Sequence, residues 1–378
     1  MKSQQLSRFA LSACAAVAML AGCGGSQPPI GAPGLTQSDA LQLHAPIHAC
    51  NGSRLARAQC DALIESSSVH ADTPTGWSPA DLQSAYNLPS STRGKGQIVA
   101  IVDAYDNPKV ASDLSEYRST FNLPKAKFTK YNQEGQTGNY PAKNKSWGLE
   151  IDNDVEMVSA SCPKCTIYLI EANSDSWSDI ETAQAEAVTL GAHIVSNSFS
   201  GEGANESYWD TPGVEYVASS GSAGLYDPAT FVHVVAVGGT MLTKGGGESR
   251  GWTESVLSES GGGCSSTDEQ KPPWQHDRYT KSCAYRVGND VSAVAEGVAM
   301  YDSYGSYGGW LTISGTSVGT PLLSGVFGLA GNATKQDGGE TFWETSHHQY
   351  LYEVEYKGKE RRFSYPAGWG TPDGIKAF

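Results

Sequence analysis

Positive charge is what this sequence has least of. Lys and Arg number 26 against 40 Asp and Glu in 378 residues, giving a formal net charge of −14 and a pI near 5.0. No basic run or basic helix occurs, which excludes the electrostatic footprint on which nucleic-acid binding rests. Charged residues of both signs reach only 17%, below the usual quarter. Where acids do crowd together, a reason is therefore wanted. Internal repeats and low-complexity tracts are also missing.

A run long enough to cross a membrane is absent as well. The apolar stretch "FALSACAAVAML" follows Lys2 and Arg8 and ends in small residues, the pattern of an export signal over 1–22. Its end, "LAGC", resembles the lipobox of bacterial lipoproteins, with Cys23 as the lipidated residue. The implied protein is exported and held at the cell envelope, at the outer membrane or cell surface, touching membrane through the lipid anchor only. If Cys23 is incidental, the protein is secreted. Six further cysteines, an even number in an exported chain, suggest disulfides. Spacing favours Cys50–Cys60, Cys162–Cys165 and Cys264–Cys283, and no second C-x-x-C or nearby His supports a metal at "CPKC".

Residues 23–75 read as a tether with a small stapled segment, and 76–378 as one ordered domain. "QIVAIVDAY" is a continuous β-branched run, the mark of a strand buried on both faces. "TIYLIEA", "HIVSNSFS", "VEYVASSG" and "HVVAVGGT" follow as further strands, with helices over "PKVASDLSEYRSTFNLP" and "SDIETAQAEAVTLG" between them. Alternating strands and helices predict an α/β fold with a mostly parallel sheet and helices on both faces. Ligands gather at the carboxyl ends of such strands, so the regions of Asp103, Asn197, Ser220 and Gly239 are expected to face one cleft.

The acids crowd in "WGLEIDNDVEMVSASCPKC", which reads as a helix. On a wheel of about 100° per residue, Ile151, Val155 and Val158 form the buried stripe. Asp152 and Glu156 fall opposite and are expected to face water. Glu150 and Asp154 sit together, one turn apart, at the border of the stripe. A carboxylate pair held there tends to share a proton and to raise one pKa. Far along the chain, "TISGTSVGTPLLSGVFGLAGNA" places Ser317 at the start of an apolar helix. There its hydroxyl meets the positive end of the helix dipole and free backbone N–H groups. A serine in that place is also a common N-cap.

"SGTSVGTP" resembles the G-T-S-x-x-x-P signature around the nucleophile of the subtilase clan. The subtilisin base is missing, since no histidine stands in an H-G-T-H context, and a triad using Asp103 falls with it. Glu-x-x-x-Asp on a helix combined with that serine resembles the sedolisin, or serine-carboxyl peptidase, family. "VVAVGGT", "NDVSAVAEGVAMYDSYGSYGGW" and "GWGTPDGIKAF" are similar too, and the likeness covers roughly 76–378. The resemblance implies a subtilisin-like fold and an endopeptidase acting on peptides or unfolded protein, best at acidic pH. It casts Ser317 as nucleophile, Glu150 as general base and later acid, and Asp154 as the group that orients Glu150.

Three departures stand out. The family's oxyanion Asp, in S-S-G-D, is replaced by Ser222, with Asp227 or Asn197 as stand-in donors. The family's C-terminal calcium site falls on Glu353, Val354 and Ser364, which lack the expected aspartates, so neither that calcium nor any other cofactor is expected. About 50 residues between Cys23 and the domain are also too few for the usual long prodomain. These departures admit a second reading, a catalytically impaired relative that binds peptides or protein partners.

Overall fold

The computed structural model describes residues 47–50, 52–65, 72–245, 250–266, 270–305 and 307–378. The export signal, Cys23 and the tether lie outside the described residues. The chain begins with three two-residue strands, β1 Ile47–His48, β2 Gln59–Cys60 and β3 Leu63–Ile64. Helix α1 (Pro79–Ala85) opens on a capping box between Ser78 and Asp81.

The alternating part then runs β4 (Ile98–Ala104), α2 (Val110–Thr120), β5 (Lys127–Asn132), α3 (Lys145–Ser161), β6 (Thr166–Ala172) and α4 (Trp177–Thr189). It continues through β7 (Ile194–Asn197), β8 (Phe199–Ser200), β9 (Glu215–Ser219) and β10 (Val234–Lys244). Strands β5, β6, β4, β7, β9 and β10 lie side by side in that order, all parallel. The strand expected over "HIVSNSFS" is broken at Ser198, so that β7 stays in the main sheet and β8 leaves it. Every residue of β7 and β9 is buried, as is β4 after its first residue. That burial requires cover on both faces and accounts for the apolar run of β4.

Beyond β10 the sheet turns antiparallel through β11 (Trp252–Val256), a change that no period in the sequence announced. A two-stranded ribbon pairs β12 (Gly263–Cys264) with β13 (Val287–Gly288), and β14 (Val291–Val294) returns to lie parallel to β10. The hairpin of β15 (Val298–Asp302) and β16 (Gly309–Ser314) delivers the chain to α5 (Thr316–Ala330). Helices α3 and α5 pack along one another, and α5 lies over β7 and β9.

Disulfides join Cys50 to Cys60, Cys162 to Cys165 and Cys264 to Cys283, the pairings that spacing favoured. The stapled segment is built into the domain: β3 pairs with β16 and β2 with β8, both antiparallel.

Three strands of the parallel sheet carry buried acids. Asp103 on β4 and Glu215 at the start of β9 are fully buried, and none of their carboxylate oxygens has a partner among the described residues. Glu171 on β6 lies 3.3 Å from Lys130, yet burial pushes its pKa up to about 8. Burial likewise raises Asp103 and Glu215. Folded pKa values above unfolded ones mean that the folded state keeps protons the unfolded chain releases. This stability is complete below about pH 4, the ordinary carboxylate range, and is lost as pH climbs to the folded values. The thermal midpoint in chelator-containing buffer is thus expected to fall steadily from about pH 4 to 8; a flat or rising trend would contradict these protonation states.

Candidate active site

Helix α3 begins at an Asn144 cap, whose side chain accepts from the Ser146 and Trp147 amides at 2.9 and 3.2 Å. From Trp147 to Ser161 every residue is buried, because α2, α5, β4 and β15 all pack on it. The expectation that Asp152 and Glu156 face water is therefore wrong. Both are fully buried, Asp152 accepting from the Asn107 amide at 2.8 Å and Glu156 from the Tyr301 N–H at 3.0 Å. A helical wheel assigns one dry face, whereas this helix has neighbours all round.

Glu150 and Asp154 lie side by side and are fully buried. The Asn153 side-chain amide reaches Glu150 Oε1 at 3.2 Å, Asp154 Oδ1 at 2.9 Å and the Ser317 carbonyl at 2.9 Å. Burial, then Asp154, then Asp61 push the Glu150 carboxyl well above its usual range, against the Ala62 N–H hydrogen bond and the nearby Ser317 hydroxyl. Burial and the neighbouring Asp103 raise Asp154 as well. The sequence therefore brings three acids together here, with Asp103 standing behind the pair. No charge-bearing pattern pointed to Asn153.

Ser317 is the second residue of α5. The cap is Gly315, at φ 111°, which offers no side-chain cap. Ser317 makes no capping bond either, its hydroxyl having no well-formed partner among the described residues. The N-cap explanation of this serine thus fails, and the helix leaves backbone N–H groups free at its start. The Gly221 amide donates to the Thr316 hydroxyl at 3.2 Å, joining the loop after β9 to the same helix start.

The stapled segment crosses this site. The Asp61 N–H donates to the Ser198 carbonyl at 3.3 Å. The next amide, of Ala62, donates to Glu150 Oε2 at 3.0 Å. The Asp61 carboxylate accepts from Ser219 and Ser200 hydroxyls at 2.6 and 2.8 Å and pairs with Arg54 at 2.8 Å. Residues 59–64 thus pass the site as two short strands, β2 antiparallel to β8 and β3 antiparallel to β16, with Asp61 and Ala62 between them. Ser317 is left without solvent exposure. The sequence showed only a tether with a small stapled segment here; these pairings depend on strands remote in sequence.

Asp227 and Asn197 both have hydrogen-bond partners of their own. Asp227 binds the Gly203 and Ala204 amides at 2.9 and 3.3 Å, and Asn197 is held by Gln184 and Trp209 at 3.0 and 2.8 Å. Ser222 is half-buried in the turn after β9, one residue beyond Gly221. At the family's calcium positions, exposed Glu353 pairs with Arg362 at 3.1 Å, Val354 is buried in a two-residue strand, and Ser364 closes a turn with Gly368. The acids that do meet, Asp113, Asp152 and Asp302, lie elsewhere.

No protein-family model matches the sequence. Kumamolisin from Bacillus sp. (strain MN-32) is 24% identical over 289 residues, 67% of this chain and 52% of that protein. The chain thus spans about half the length of the curated relative it matches. Among solved structures, Pseudomonas sedolisin, a serine-carboxyl proteinase complexed with two molecules of pseudo-iodotyrostatin, superposes with a TM-score of 0.62 at 20% identity, over 80% of this chain and 96% of that one. Fervidolysin from Fervidobacterium pennivorans, a keratinolytic enzyme related to subtilisin, gives 0.51 at 14% identity over 78% and 44%. The fold is subtilisin-like α/β.

The packing around Gly315 is testable. A Cβ there would sit 2.1 Å from the Asp61 carbonyl oxygen, on backbone at a φ that side chains disfavour. Gly315→Ala is expected to destabilise by about 1–3 kcal/mol and to speed proteolysis within residues 53–65. An unchanged thermal midpoint and cleavage rate would show that this carbonyl is not packed there.

Proposed function

We propose that this member of the sedolisin family, of the subtilase clan, is a serine-carboxyl endopeptidase whose first occupant is its own N-terminal segment. The observation that carries the reading is the Ala62 amide on Glu150, beside a fully buried Ser317 with no capping task. In a peptidase the base that takes the serine proton must next reach the nitrogen of the leaving amine. Ala62 N marks that place.

In the proposed reaction Ser317 Oγ attacks the carbonyl carbon of the bound peptide, and its proton passes to ionised Glu150. Backbone N–H groups at the start of α5 face the developing oxyanion. When the C–N bond breaks, Glu150 returns the proton to the leaving nitrogen. Water then hydrolyses the acyl-serine by the reverse proton traffic. Asp154 is the positioning residue: its neighbouring charge keeps Glu150 ready to hold a proton, and Asn153 fixes both carboxylates to the nucleophile's helix. Burial raises both carboxyls, with Asp154 adding to the rise of Glu150 and Asp103 to that of Asp154; the cycle needs one proton on the pair, so activity belongs below neutral pH.

Substrates are peptides or unfolded proteins, with the acyl-side residue seated among the Ser200 and Ser219 hydroxyls. Lipidation at Cys23 and work at the cell envelope belong to the same proposal and rest on the sequence pattern alone. Unfolded protein incubated with the purified chain is expected to be cleaved between about pH 3 and 6, with Ser317→Ala inactive. Glu150→Gln should lose at least about a hundredfold in kcat, and Asp154→Asn should shift the pH profile. Uncut substrate from a folded wild-type chain freed of residues 47–61 would favour the peptide-binding relative, the reading motivated by Ser222 standing where the family has its oxyanion Asp.

A further inference from the structure

On the α2 side of α3, away from the strand laid across the cleft, three more carboxylates meet. Asp113 of α2, Asp152 of α3 and Asp302 at the end of β15 each place an oxygen within 4.8 Å of the other two. All three are buried to 1% exposure or less. The centre of a triangle that size lies about 2.8 Å or less from each corner, near the 2.3–2.6 Å of calcium–oxygen bonds. Hydrogen bonds hold the carboxylates from outside: Ser303 N–H and hydroxyl to Asp113 at 3.0 and 2.7 Å, Tyr304 and Gly305 N–H to Asp302 at 2.8 and 2.7 Å, and the Asn107 amide to Asp152 at 2.8 Å. Asp152 Oδ1 and Asp302 Oδ2 remain buried without a partner among the described residues.

Two side chains beyond this trio point the same way. Glu156, one turn past Asp152, is fully buried with Oε1 unpartnered. Tyr117, one turn past Asp113 on the same face of α2, buries an unpartnered hydroxyl whose pKa is raised by burial and by the Glu156 carboxylate. Among the described residues no Lys, Arg or His pairs with any of the four acids. Arg118, next along α2, spends its guanidinium on Pro124 and Pro163 carbonyls and the Ser159 hydroxyl. Four buried acids without a cation are costly, and their oxygens are hard donors suited to calcium.

We propose that Asp113, Asp152 and Asp302, with Glu156 beside them, bind one calcium ion, at a place separate from Glu353 and Ser364. The ion ties α2 and α3 to the hairpin that delivers Ser317. Since Asp152 stands between Glu150 and Asp154 on α3, it also steadies the helix that carries the carboxyl pair.

The test needs no activity. The full chain, stripped with a chelator and dialysed to neutral pH, is titrated with calcium by calorimetry and with terbium, its emission read through sensitisation by aromatic residues such as Tyr301, next to Asp302 in the chain. Saturable one-to-one binding is expected, with calcium displacing terbium. Asp302→Asn and Asp152→Asn should weaken it at least about tenfold, while Glu353→Gln leaves it unchanged. Calcium should raise the thermal midpoint of the wild type and not of Asp302→Asn. In chelator the variant should match or exceed the wild type, having lost an uncompensated charge, which separates lost binding from lost folding. No saturable binding by folded wild type, or binding unaltered in both Asp variants, would overturn the proposal.

Discussion

One side-chain amide, that of Asn153, holds the two halves of the site together. From the middle of α3 it reaches both carboxylates of the Glu150–Asp154 pair and the backbone carbonyl of Ser317 on α5. The residues involved are more than 160 positions apart in the chain, and everything chemical depends on their register. Hydrogen bonds to charged groups in a dry interior are worth roughly 1.5–3 kcal/mol each. Their value here is chiefly positional, since a carboxylate misplaced by an ångström cannot serve a serine. The close packing of α3 against α5 supplies the rest.

The interior around that contact is unusually acidic. Asp103, Glu150, Asp152, Asp154, Glu156, Glu171, Glu215 and Asp302 are all fully buried. Such a core is tolerable only if the acids hold protons or a cation sits among them. Both solutions fit: shared protons around Glu150 and Asp154, and a cation on the far side of the same helix.

Much of this was legible in the sequence because it is local. The apolar runs of β4, β7 and β9 announce buried parallel strands, and the caps and periodicity of α3 and α4 announce helices. Glu150, Asp154 and Ser317 were singled out by the resemblance of their motifs to a known family, and the fold brings the three together. Asp152 and Glu156 were misplaced because a wheel knows one face, and α3 is enclosed by α2, α5 and β15. The strand at 59–64 was invisible for a different reason. Two-residue strands have no period, and what fixes them is pairing with β8 and β16, remote in the chain. Asn153 was passed over because an amide between two acids looks like spacing.

The central claim is that the peptide bond between Asp61 and Ala62 lies across the machinery as a substrate does. The most direct measurement is intact mass and N-terminal sequencing of the purified chain after incubation at acidic pH, beside Ser317→Ala. A new N-terminus at Ala62 is expected in the wild type and an uncut chain in the variant. A wild-type chain that stays whole while cleaving added protein, or one cut at another bond, would contradict it.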